Sequence, residues 1–155
     1  MFGKKAVLVG LAAAGLVAGA VTVARADAGS GFTSVVIARG ESDHSFGVQQ
    51  RKDNDVVTTQ NTIAPGGFSG WHSHPGIAVL VIQSGQLTLY SEPVGGGECS
   101  VHTYTAGQVF LEHPEGEENA VNTGAEPTVL AVTFFNVPHG ASARIERTNP
   151  GDCPS

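Results

Sequence analysis

The chain has 155 residues, of which 14 are acidic and 8 basic, giving a formal charge of −6. A surface of that sign repels phosphates and anionic membranes, and no basic stripe overrides it, so nucleic acid is not an expected partner. There is no G-x-S-x-G elbow, P-loop or H-E-x-x-H, which removes the common hydrolase, nucleotide-binding and zinc-protease readings.

Residues 1–26 read as a signal peptide. Lys4 and Lys5 supply a charged start, residues 6–23 carry no charge, and Ala24-Arg25-Ala26 offers a small-x-small cleavage site. The rival is an uncleaved membrane anchor, because the apolar run approaches the length of a span. Its alanine and glycine content makes it weakly hydrophobic, so cleavage after Ala26 is the expectation, with a product that is secreted or held in the cell envelope without stable membrane insertion. Lysines rather than twin arginines point to general secretion. Cleavage removes Lys4, Lys5 and Arg25 and leaves five basic against fourteen acidic residues, a formal charge of −9.

The rest divides into an N-terminal strand and loop over 27–55, a β-barrel over 56–137 and a tail over 138–155. Strands are expected at 32–38 and 56–63, both rich in Val, Ile and Thr, and at 77–82, a continuous apolar run. Ser84-Gly85 turns that run into 86–90, where Leu87 and Leu89 alternate with polar neighbours, as in a hairpin. Further strands fall at 101–104, 108–111, 120–122 and 128–135, with Gly, Pro and Asn at nearly every junction. One helical turn is expected over 142–147, and the tail beyond Asn149 reads as irregular. Many short strands at regular spacing imply an all-β sandwich or barrel with a pocket between its sheets.

Cys99 and Cys153 are an even pair in an exported chain, so they are expected to form a disulfide that ties the tail to the Gly95–Cys99 loop. Neither has a second cysteine or histidine at metal-ligand spacing, apart from His102 near Cys99.

The most informative segment is Gly66-Gly67-Phe68-Ser69-Gly70-Trp71-His72-Ser73-His74-Pro75. Histidines at i and i+2 of an extended chain project to one face, which is how a sheet begins a metal site. The alternative is two polar residues on a solvated face. Trp71 faces the other way and reads as core packing.

Gly66, five residues, His72-x-His74 and the closing Gly85 resemble the first motif of the cupin superfamily. The G-W-H-x-H-P-G segment and the cysteine-proline tail are similar to small secreted single-domain cupins of actinobacterial type. The resemblance implies a single jelly-roll β-barrel binding one divalent transition metal (Fe, Mn, Ni, Cu or Zn). It also implies a small-molecule ligand or substrate and a homodimer as a candidate assembly. One element departs from the pattern, since the family's glutamate would fall at Ala78.

The second cupin motif resembles the stretch from Gly107-Gln108-Val109-Phe110-Leu111 to Asn122-Thr123-Gly124. Aligning both ends without a gap puts Glu118 at the family's ligand histidine. Matching Pro114-x-Gly116 instead to the family's P-x-G turn leaves Asn119 there. The first register places Glu118, Ala120 and Asn122 on one face, and a one-residue slip would reverse that face. The metal ligands implied are His72, His74 and Glu118, with His113 as an alternative third ligand; two histidines and a carboxylate form a facial triad. Against this stands the reading of Glu112, Glu115, Glu117 and Glu118 as a solvated acidic loop. His102 could face either way on its strand, and His44 and His139 read as surface residues.

Three functions remain open. The chain is a divalent-metal-dependent enzyme on a small molecule, a non-catalytic small-ligand-binding module, or a structural cupin with a degenerate metal site.

Overall fold

The computed structural model describes residues 35–92, 95, 97–151 and 153. The leader assigned to residues 1–26 lies outside them, as does the start of the strand expected over 32–38. Among the described residues no helix is long and apolar enough to cross a membrane.

The fold is all-β. Nine strands form among the described residues: β1 Asn54–Ile63, β2 His72–Ser73, β3 Ala78–Ser84, β4 Gln86–Glu92, β5 Ser100–Thr105, β6 Val109–Glu112, β7 Glu117–Val121, β8 Thr128–Pro138 and β9 Ile145–Glu146. They build two antiparallel sheets, one ordered β1-β8-β3-β6 and the other β5-β4-β7-β2-β9. The apolar alternation decides which face is inside. Ala78, Leu80 and Ile82 of β3, Leu87 and Leu89 of β4, and Leu130, Val132 and Phe134 of β8 are buried in one core with Phe110 and Ala120. Truncating one of these leucines to alanine costs about 2–5 kcal/mol, from lost transfer energy and the cavity left behind.

Two glycines fix the strand spacing around the histidines. Gly85 turns β3 into β4 at φ 77°, and a Cβ there would lie 2.7 Å from the Pro127 carbonyl oxygen. A Cβ on Gly76 would fall 1.9 Å from the Phe135 carbonyl oxygen, so this position lets the chain after His74 lie against β8. Ile77 then accepts a hydrogen bond from the Phe135 amide at 2.9 Å.

Two expectations change. Residues 35–38 are not a strand, and Val35, Val36 and Ile37 are exposed. Among the described residues their β propensity finds no ladder to join; pairing begins beyond the segment, at the bridge between Glu41 and Gln108. Residues 142–147 do not form a helical turn either. Ile145–Glu146 adds to the free edge of β2, and Arg147 donates its amide to the Trp71 carbonyl at 3.0 Å. Open backbone groups on a two-residue strand outweigh the weak local helical preference. The Cys99–Cys153 disulfide is formed, with the Cα atoms 5.2 Å apart.

Candidate metal centre

His72 opens the short strand β2 and His74 follows directly after it, with Ser73 between them and both rings buried. Their centroids are 4.9 Å apart and their planes nearly perpendicular. The backbone fixes each tautomer. His72 Nδ1 donates to the Gly70 carbonyl at 2.8 Å, and His74 Nδ1 donates to the Ala143 carbonyl at 2.7 Å. A ring whose Nδ1–H is engaged in this way presents the lone pair of Nε2, the arrangement that orients histidine toward a metal. Burial holds the His72 imidazole below its ordinary value, which favours the neutral form that can coordinate.

The carboxylate that joins them is Glu112, at the end of β6. One ligand atom from each of His72, His74 and Glu112 lies within 4.8 Å of the other two, and all three residues are buried. Glu112 Oε2 sits 2.9 Å from His74 Nε2. With Nδ1–H already engaged, that contact needs a proton on either Nε2 or the carboxyl group. A divalent cation in the same position would replace that proton, so the donor set fits a metal on its own geometry.

The register explains where the third donor comes from. Ala78 and Glu112 are directly paired across the β3–β6 ladder. Residues so paired project to the same face, about 5 Å apart at Cβ. The acidic side chain expected at Ala78 therefore reaches the same space from the neighbouring strand, and the small, fully buried Ala78 leaves it room.

Glu118 lies on β7 directly opposite His72 and is buried, in the register that shares a face with Ala120. Its oxygens are not among the converging ligand atoms. Its Oε2 has no hydrogen-bond partner, and its carboxyl is pushed up to about 10 by burial and by the charge of Glu112. His113, in the loop after β6, is exposed and does not join the trio. The acidic stretch splits, with Glu112 and Glu118 buried, Glu117 half-buried and Glu115 exposed. Asn119 is buried on the other face of β7 and accepts from Ser69 Oγ at 3.5 Å. Asn122 is wholly buried and closes its turn by donating to Ile63 and Glu126 carbonyls and accepting from the Gly124 amide. Trp71 is buried, His44 and His139 are exposed, and His139 pairs with Asp55 at 2.9 Å.

One cavity borders the trio, and a second is lined by none of its three residues. A small one of about 100 Å³ runs from His72, His74 and Glu112 onto Leu80, Val132 and Phe134. A larger one of about 530 Å³ opens between β4, β5 and the loop after β6, with Glu118, His102 and His113 on its wall. Sequence reasoning missed the contribution of the tail. The Ala143 carbonyl orients His74, and Arg144 lines the small cavity while bonding to the Ser69 carbonyl and to Glu146. No sequence signal marks Ala143, because it acts through its backbone.

No family model and no curated protein sequence matches the chain. Solved structures do resemble it. One is an uncharacterised protein with a double-stranded β-helix domain from Klebsiella pneumoniae subsp. pneumoniae (22% identity, TM-score 0.49), with coverage of 64% of this chain and 81% of that one. A second is the oxalate decarboxylase of Bacillus subtilis, described with Mn(II) centres (22%, TM-score 0.53, coverage 60% and 24%). A third is an oxalate oxidase (20%, TM-score 0.52, coverage 59% and 45%). The chain thus spans a quarter to under half of the length of those two enzymes.

Proposed function

For a chain with the cupin double-stranded β-helix fold, we propose that it is an exported protein holding one divalent metal on His72, His74 and Glu112 and acting there on a small molecule. The observation that carries this is the pair of Nδ1–H bonds to backbone carbonyls, which turn both imidazoles toward one buried carboxylate. A structural pair of buried histidines has no need of that shared orientation.

The three donors leave coordination positions open. A metal so held supplies Lewis acidity or a site for activating a bound small molecule. The chain's own residues do the rest. His72 and His74 stay oriented through Gly70 and Ala143, and the apolar wall of Leu80, Val132 and Phe134 keeps bulk water from one side. Glu118, kept as the neutral acid by burial and by Glu112, is placed to hold or give up a proton at the edge of the site. The Mn(II) of the Bacillus subtilis enzyme makes Mn the first ion to test. Export is supported by the Cys99–Cys153 disulfide, which is at home in an oxidising compartment.

Elemental analysis of the untagged mature protein, followed by titration of the chelated protein with Mn(II), Fe(II) and Zn(II), tests the reading. About one metal per chain supports it. A protein that takes up none of these ions ends it, and leaves a barrel that binds or scaffolds without a metal.

A further inference from the structure

The segment that carries both histidines is held in place largely by the tail. Strand β2 pairs with β7 only at His72–Glu118, whereas β9 pairs with it at His72–Glu146 and Ser73–Ile145. Further hydrogen bonds join the tail to residues 69–74. The Ala143 carbonyl accepts from His74 Nδ1, and Arg144 Nη2 donates to the Ser69 carbonyl. The Arg147 amide donates to the Trp71 carbonyl, and Arg147 Nε donates to Ser73 Oγ. The tail itself has little packing to keep it there. Ala143 rests against the core, but Ile145, Glu146 and Arg147 are exposed. Bonds so open to water belong to the parts of a fold that open locally at low cost. One end of the tail is pinned where the Gly140 amide donates to Asp55 at 2.9 Å. Past Arg147, Thr148 and Asn149 are exposed, and the next fastening among the described residues is the Cys99–Cys153 disulfide.

We propose that the tail is a strap closed over the metal centre by this disulfide, and that reducing the disulfide lowers metal affinity by about 10–100-fold. The proposal rests on the metal-centre reading above for the affinity it changes, not for the release of the strap. Cys99 is half-buried and Cys153 buried, so the thiolate of a small dithiol reaches the Cys99 sulfur. That attack forms a mixed disulfide and expels the Cys153 thiolate, which takes up a proton. The donor's second thiol then closes on the first and releases Cys99 as a thiol. One S–S bond breaks in the protein and one forms in the donor, with two electrons and two protons passed to Cys99 and Cys153. Freed at that end, the strap peels from β2 and His74 Nδ1–H loses its acceptor, so the ring is no longer fixed with Nε2 toward Glu112. Loss of such an outer-shell partner costs about 10–100-fold in metal affinity. Linkage makes the effect reciprocal. Bound metal makes the disulfide harder to reduce by the same factor, about 30–60 mV for a two-electron couple.

The test is titration of the untagged mature protein with Mn(II), disulfide-bonded and after reduction with a phosphine and anaerobic desalting. Circular dichroism and amide hydrogen exchange are recorded on both forms. The reduced protein should keep its sheet spectrum, exchange faster at 145–147 and bind Mn(II) about 10–100-fold more weakly. Cys99→Ser combined with Cys153→Ser should match it without any reductant. In a dithiothreitol buffer, saturating Mn(II) should shift the wild-type equilibrium toward the disulfide by the same factor. Equal Mn(II) affinity in the two forms overturns the proposal, as does unchanged exchange at 145–147. So does loss of the sheet spectrum on reduction, since the disulfide would then hold the barrel rather than the strap. A disulfide-bonded protein that takes up no Mn(II), Fe(II) or Zn(II) removes the metal-centre reading, and exchange at 145–147 alone then decides whether the disulfide closes the strap.

Discussion

Replacing each buried glutamate in turn separates the ligand from its neighbour. Glu112→Gln removes the one anionic atom that lies among the histidine ligand atoms. Losing even an outer-shell partner of a metal costs about 10–100-fold in affinity, so losing the charged donor itself should cost at least about 100-fold, or roughly 2.7 kcal/mol. Glu118→Gln should behave differently. With its carboxyl pushed up to about 10, Glu118 is held as the neutral acid at pH 7 in the metal-free protein. Glutamine is nearly isosteric with that form, so the loss should stay within about tenfold. The assay is competitive titration of Zn(II) or Mn(II) against a chromophoric chelator, with circular dichroism to confirm that both variants keep the β fold. A larger loss for Glu118→Gln than for Glu112→Gln would refute the assignment and return the third ligand to β7.

His72→Ala should abolish stoichiometric metal binding while leaving the β-sheet spectrum intact; unchanged metal content would remove the site altogether. In the chelated protein Glu118 should also make stability depend on pH. Its folded value lies above the unfolded one, near 4.5, so its contribution is full at low pH and is lost as pH rises toward about 10. Between pH 7 and 9, above the range where His72 titrates in the unfolded chain, urea unfolding should show stability falling by up to about 1.4 kcal/mol per pH unit. Glu118→Gln should flatten that slope, and parallel wild-type and variant curves would count against the buried acid. Replacing Cys99 and Cys153 with serine should cost about 4 kcal/mol, the chain-entropy value for a crosslink with a sequence separation of 54. A variant within about 1 kcal/mol of wild type by urea unfolding would show that the tail is held without it.

What the sequence shows of this fold is what repeats at short range. The β3–β4 hairpin is written in Leu80, Ile82, Gly85, Leu87 and Leu89, because alternation and a glycine turn are local properties. The same-face placement of His72 and His74 follows from their spacing alone. The 35–38 segment misled because Val and Ile are only permissive of a strand, which also needs an edge to pair with. Strand β9 was hidden for the complementary reason. Its existence depends on the free edge of β2, more than seventy residues away in the chain.

The third donor was hidden by register, and this leads to a reconstruction. A metal position in a barrel is a point in space that two paired strands can both reach. Ala78 on β3 and Glu112 on β6 face each other across one ladder, so a carboxylate can approach the histidines from either. A reading of β3 alone therefore sees a lost carboxylate, although the paired position carries one. Glu112→Ala should remove metal binding by the argument above, and adding Ala78→Glu to that variant should restore it to within about 100-fold of wild type. The exchange keeps one glutamate and one alanine in the same pair, so core volume is conserved and the cost in stability should stay below about 1.5 kcal/mol. If the exchanged protein folds, by circular dichroism and urea unfolding, yet binds no more metal than Glu112→Ala alone, the two positions are not equivalent. The pairing would then explain the burial of Glu112 without explaining its place in the site.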